Sequence, residues 1–113
     1  MIRAVISGTG LYTPPATITN DELVEAFNAF VELHNARHAD EIASGDLEPL
    51  QPSSSAFIEK ASGIKRRHVI DKQGILDPER MCPDIPDRPN EEASVQCEMA
   101  LAACEEALKQ AGK

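Results

Sequence analysis

Two rhythms of apolar and polar positions organise this chain. At 2–7, Ile2, Ala4, Val5 and Ile6 form a short, nearly continuous apolar run before Gly8-Thr9-Gly10. A run of that length, rich in β-branched residues and followed by glycines, predicts a buried strand ending in a turn. Tyr12-Thr13-Pro14-Pro15 breaks the pattern, because proline lacks an amide donor and restricts the residue before it. From Thr19 the rhythm becomes helical: Leu23, Val24, Phe27, Phe30 and Val31 recur three or four apart and give one apolar stripe. Thr19 with Glu22 three residues later fits a capping box, and the early acids suit the positive end of a helix dipole. The helix is predicted to run through Leu33 towards Ile42 and to end at Ser44-Gly45.

Residues 45–55, with Gly45, Pro49, Pro52 and three serines, read as a loop. A short helix follows from Ser54 to Ser62, stopped by Gly63. The stretch 64–70 reads as a strand whose apolar pattern is interrupted by Lys65, Arg66, Arg67 and His68. Residues 71–90 carry four prolines and one glycine and read as a long loop, a class that is usually functional or wraps a surface. Asn90 is placed to cap the last helix, with Glu91 and Glu92 in its first turn. Along that helix Ala93, Cys97, Ala100, Cys104, Ala107 and Ala111 mark a stripe of small residues, extended by Leu101 and Leu108. Two predicted strands some sixty residues apart do not make a sheet with covered faces, and the helical stripes call for a further surface. The pattern therefore predicts an incomplete α/β unit over 1–113, the front piece of a larger domain.

Composition narrows the classes. A net charge of −8 argues against general nucleic-acid binding, which needs a basic footprint. No apolar run is long enough to span a membrane, and the N-terminus lacks a secretory pattern, so a cytoplasmic protein is expected. Three cysteines without clustered spacing make neither a disulfide framework nor a zinc site.

Each chemical candidate has a plainer reading beside it. Gly8-x-Gly10 after a strand suggests a dinucleotide turn, but the third glycine is missing and prolines follow instead of a helix. Cys104, late in a helix and beside two glutamates, lacks the cationic setting of a reactive thiolate, so a buried structural cysteine is expected there and at Cys97. Cys82 has no assigned role. His34 and His38 stand one turn apart, a spacing that can hold a metal; without an acidic or cysteine partner at fixed spacing they read as solvated surface residues, and no metal is expected. Lys65-Arg66-Arg67-His68 is the one basic cluster. It fits either an anionic ligand or pairing with the chain's own surplus of carboxylates.

Taken in order, Gly8-Thr9-Gly10 with Tyr12 and Pro14, then Thr19-Asn20 with Leu23, then Ser62-Gly63-Ile64 with Arg67-His68, and the alanine-rich helix ending at Gly112 resemble the start of the β-ketoacyl-acyl carrier protein synthase III family. The resemblance covers nearly the whole chain. It implies a thiolase-like αβαβα fold, of which these residues are the opening part of the first half. It also implies a decarboxylative condensation of an acyl group, carried from coenzyme A on a cysteine, with malonyl-acyl carrier protein in fatty-acid synthesis. The implied partners are acyl-coenzyme A, acyl carrier protein, the rest of the chain and a second copy in a homodimer; no cofactor is implied. The family's catalytic cysteine, histidine and asparagine are expected beyond Lys113, so the 113 residues alone are expected to be inactive.

What carries over by position is peripheral. Phe57 stands where the family has a tryptophan that stacks on the adenine of coenzyme A. Ser62 stands for a threonine near that ligand. Ala61 replaces an arginine, and Lys65 or Arg66 would supply the missing phosphate contact. The stretches 28–50 and 71–90 are longer than in usual members, which leaves open a longer acyl donor or a condensing enzyme of another acyl pathway. A non-catalytic interaction module is the alternative from another class.

Overall fold

The computed structural model describes residues 1–113, and the chain divides into two compact units, Pro14–Ile85 and the pair of segments Met1–Thr13 and Pro86–Lys113. The larger unit is mixed helix and strand: β1 (Ala16–Thr19), α1 (Asn20–Arg37), α2 (Ala39–Ser44), α3 (Ser55–Ser62), β2 (Arg66–Val69) and α4 (Lys72–Leu76). The smaller unit contains α5 (Val95–Gln110). No helix is long and apolar enough to cross a membrane.

β1 and β2 form a two-stranded antiparallel ladder in which Ala16 faces Val69 and Thr19 faces Arg66. β1 is a strand the sequence reading passed over. Its alternating Thr17, Ile18 and Thr19 favour extended backbone, and Ile18 is fully buried. With Ala26 and Val31 of α1 it completes the buried apolar core, which lies wholly in the larger unit.

The capping box at the start of α1 is present as expected. The Glu22 amide donates to Thr19 Oγ1 at 3.2 Å, and the Thr19 amide donates back to Glu22 Oε2 at 2.9 Å. The predicted long helix is divided at His38, which ends α1 and begins α2; Gly45 closes α2 in the left-handed region. Asn28 and Asn35, two turns apart on α1, each hold a backbone residue of the following loop by two bonds. Asn28 pairs with Ser53 (3.1 and 2.8 Å) and Asn35 with Leu50 (3.0 and 2.9 Å).

The long loop at 71–90 is interrupted by α4. Asp71 caps it, accepting from the Gly74 amide at 3.3 Å and from the Asp84 amide at 2.6 Å. Lys72 donates to Glu22 at 2.7 Å and ties α4 to α1. The Lys72 bond, then the Thr19 amide, hold the Glu22 carboxyl below its ordinary 4.5; the Asp84 and Gly74 amides do the same for Asp71, below 3.8. Both carboxylates are favoured in the folded state, so their contribution is complete above the unfolded values and is lost as pH falls through the lower folded ones. The urea midpoint should therefore hold steady above about pH 5 and decline below the ordinary values of 4.5 and 3.8. Glu22→Gln should flatten the upper part of that decline. An identical acid profile in the variant would remove the Lys72–Glu22 pair from the account.

In the smaller unit the expected strand at 2–7 does not form. A strand needs a partner for its amides and carbonyls, and no segment of this chain pairs with 2–7: its one ladder joins β1 to β2. Ile2, Val5 and Ile6 lie exposed. Nor is Gly8-Thr9-Gly10 a turn. Residues 8–11 run extended along α5, where the Thr9 amide donates to Gln110 Oε1 at 2.7 Å and the Leu11 amide to Glu106 Oε2 at 3.2 Å. The cap of α5 is Ser94 rather than Asn90: its hydroxyl accepts from the Cys97 amide at 3.2 Å. The covered side of α5 carries Val95, Met99, Ala102, Ala103 and Ala107. The expected small-residue stripe is therefore turned away in part, and Cys97 and Cys104 are exposed, not buried.

Candidate functional site

α3, the turn after it and β2 carry every residue singled out for ligand binding. Ser54 starts α3 by accepting from the Phe57 amide at 3.1 Å. Gly63 ends it at φ 72, a left-handed conformation that a side chain would strain, with its amide donating to Glu59 O at 2.7 Å. Ser62 reinforces the stop. Its hydroxyl donates to Ile58 O at 2.7 Å and accepts from the Ile64 amide at 3.1 Å. Ser62 is thus committed to the turn, and one hydroxyl lone pair stays free.

Phe57 projects from α3 with 65% of its surface exposed, and Ile64 is 47% exposed. An aromatic ring so bare on a short helix is a ready stacking face. Lys65 lies 3.6 Å from Glu59 with most of its side chain in solvent, a pair of small energetic weight. Arg66 is exposed and makes no ion pair. Arg67 alternates to the inner side of β2 and donates to Asn20 Oδ1 at 3.1 Å; its Nη1 is buried without a partner. His68 donates from Nδ1 to Pro14 O at 3.0 Å. The basic cluster thereby separates by role: Arg67 and His68 serve the fold, while Lys65 and Arg66 face water.

Beside α3 lies an apolar groove of about 250 Å³, lined by Leu23, Val24 and Phe27 of α1, Ile58 of α3, Ser53 and Met81. Met81 holds φ 51, the one non-glycine residue at positive φ. Nothing in the local sequence signals that conformation. The turn at 77–81, closed by the Met81 amide on Asp77 O at 2.8 Å, sets it.

The histidines depart from the expected solvated pair. His34 is half-buried with Nδ1 unpartnered, and its ring centroid is 4.5 Å from that of His38. His38 Nδ1 lies 3.0 Å from Glu41 Oε1. No group of three or more histidine, cysteine or acidic side chains is gathered as a metal site would need.

Sequence reasoning missed Asn20, which the structure puts at the centre of the turn. It is 5% exposed, and its Nδ2 donates to Ile64 O at 2.7 Å. The available signal was an asparagine directly after a residue that already caps the helix.

No family model matches the chain. It is 60% identical over 90 residues to the beta-ketodecanoyl-(acyl-carrier-protein) synthase of Pseudomonas aeruginosa. That match takes in 80% of this chain and 26% of the relative, so the chain spans about a quarter of the relative's length. The resemblance to condensing enzymes, read first from short motifs, is borne out by this likeness.

Proposed function

We propose that these residues belong to a condensing enzyme of the synthase III type, joining an acyl group from coenzyme A to malonyl-acyl carrier protein. The 60% identity to a β-ketodecanoyl synthase is the observation that carries this reading. A cysteine thiolate attacks the acyl thioester and coenzyme A leaves as its thiolate. Malonyl-acyl carrier protein then loses carbon dioxide, and the carbanion attacks the enzyme thioester. The β-ketoacyl product forms and the cysteine thiolate is released, with oriented donors stabilising each oxyanion. The step adds two carbons, so a ten-carbon product of the kind in the relative's name calls for an octanoyl donor. A cytoplasmic homodimer is the setting that fits, and the reaction needs no metal or redox cofactor.

The part assigned to these residues is the nucleotide end of coenzyme A. Phe57 offers its bare ring to the adenine, Lys65 and Arg66 their charges to the phosphates, and Ser62 shapes the turn between them. None of the three cysteines is assigned as nucleophile. Cys97 and Cys104 sit exposed on α5, and Cys104 is far from the helix N-terminus that would favour a thiolate.

The test uses the full natural polypeptide with octanoyl-coenzyme A and malonyl-acyl carrier protein. Release of carbon dioxide and coenzyme A with a β-ketodecanoyl product is expected. Cys104→Ser should leave the rate within about twofold, as for surface positions away from the chemistry. No β-keto product from any acyl-coenzyme A between acetyl and dodecanoyl would sink the reading, and abolition by Cys104→Ser would overturn the assignment of the nucleophile elsewhere.

A further inference from the structure

Asn20 is the one buried polar residue of the chain, and its hydrogen bonds converge on one segment. Its backbone amide donates to Lys65 O at 3.1 Å, its side-chain amide to Ile64 O at 2.7 Å, and its Oδ1 accepts from Arg67 Nη2 at 3.1 Å. Thr19 already caps α1, so Asn20 is not needed for that task. Its chemistry suits the double contact. A carbonyl needs a donor and a guanidinium needs an acceptor; a primary amide offers both, whereas a carboxylate cannot donate.

The consequence falls on the neighbours. With Arg67 drawn inward and the backbone at 64–65 fixed, Arg66 is set opposite Thr19 in the ladder, and it and Lys65 are left facing water. We propose that Asn20 is a positioning residue, fixing the Ile64–Lys65 backbone and the Arg67 guanidinium so that Lys65 and Arg66 present an ordered pair of cations to the phosphates of coenzyme A. This rests on the reading of the preceding subsection.

The full natural polypeptide is titrated calorimetrically with coenzyme A and with octanoyl-pantetheine, a thioester lacking the nucleotide and its phosphates. Asn20→Ala should weaken coenzyme A about tenfold, the scale of one lost charge-assisted contact. Octanoyl-pantetheine binding should change by less than about twofold, as for an independent site. In a Lys65→Ala/Arg66→Ala background the further loss from Asn20→Ala should shrink to about twofold or less, since coupled residues are not additive. Equal weakening of both ligands would assign Asn20 a general structural role and overturn the proposal, as would an undiminished tenfold loss in the double-alanine background. Unchanged coenzyme A affinity in Asn20→Ala would overturn it alone. A parent protein that binds no coenzyme A would overturn the functional reading itself, and this inference with it. If Asn20→Ala does not fold, hydrogen exchange of the Asn20 amide in the unmutated protein decides: slower exchange on adding coenzyme A supports the proposal, and no change refutes it.

Discussion

Gly10→Ala should cost about 3 kcal/mol and release 8–11 from α5, the upper range for forcing extra atoms into a close contact. A Cβ at Gly10 would lie 1.8 Å from Ala103 O and 2.7 Å from Ala107 N. At Gly8 it would lie 2.3 Å from Ala107 O and 2.9 Å from Ala111 N. These are backbone atoms of a helix, so no rotamer change relieves the overlap. The arrangement is commensurate. Two residues of extended chain advance about 6.7 Å. Four residues of helix advance about 6 Å, so Gly8 and Gly10 meet successive steps of the row Ala103, Ala107, Ala111. The sign is diagnostic. Where the native backbone tolerates the methyl, Gly→Ala stabilises by about 0.4–1 kcal/mol through the unfolded chain. Thermal unfolding with hydrogen exchange of the α5 amides checks the prediction, and a variant that melts no earlier than its parent would refute the close approach.

The second large effect is expected at the two asparagines of α1. Asn28→Ala and Asn35→Ala should each cost about 1–3 kcal/mol, because each strands part-buried backbone groups without partners. The loop they hold cannot supply those partners itself. Pro49 and Pro52 lack amides and keep the chain extended, leaving the Leu50 and Ser53 amides to be satisfied from outside. The spacing matches here too. Seven residues of helix rise about 10.5 Å from Asn28 to Asn35. Three residues of polyproline-like chain cover about 9 Å from Leu50 to Ser53. Urea midpoints and limited proteolysis within 46–54 are the measurements. Earlier unfolding and faster cutting in the loop are expected; parent-like values for both variants would show that the loop is held by other means.

Local signals were legible wherever local chemistry decides the structure. Thr19 with Glu22 and Gly63 after α3 act within a few residues and stand where the sequence put them, and Ser54, read as the first residue of that helix, is its cap. Elements that depend on distant partners were not legible. The apolar run at 2–7 has the composition of a strand but finds no ladder. The less apolar 16–19 is a strand because 66–69 lies alongside it. The cysteine stripe of α5 failed for a related reason: small residues line several faces of that helix, and the segment 8–11 packs against the side of Ala103 and Ala107. In the candidate site, Phe57, Lys65 and Arg66 are exposed; for Asn20 the sequence offered only its place after the capping Thr19, and its role was not legible because its partners lie more than forty residues away.

The order of these contacts along the chain also sets an order in time. During synthesis, the partners of Asn28 and Asn35 are complete once residue 53 has left the ribosome, and α1 with its proline-braced loop can then close as a local unit. The ladder must wait for Val69, and the anchoring of Ile64 and Lys65 to Asn20 waits with it. Until then Ile18 has no strand opposite it. The nascent chain therefore passes through a stage in which its helical arm is braced while the turn that carries Lys65 and Arg66 is still unmade.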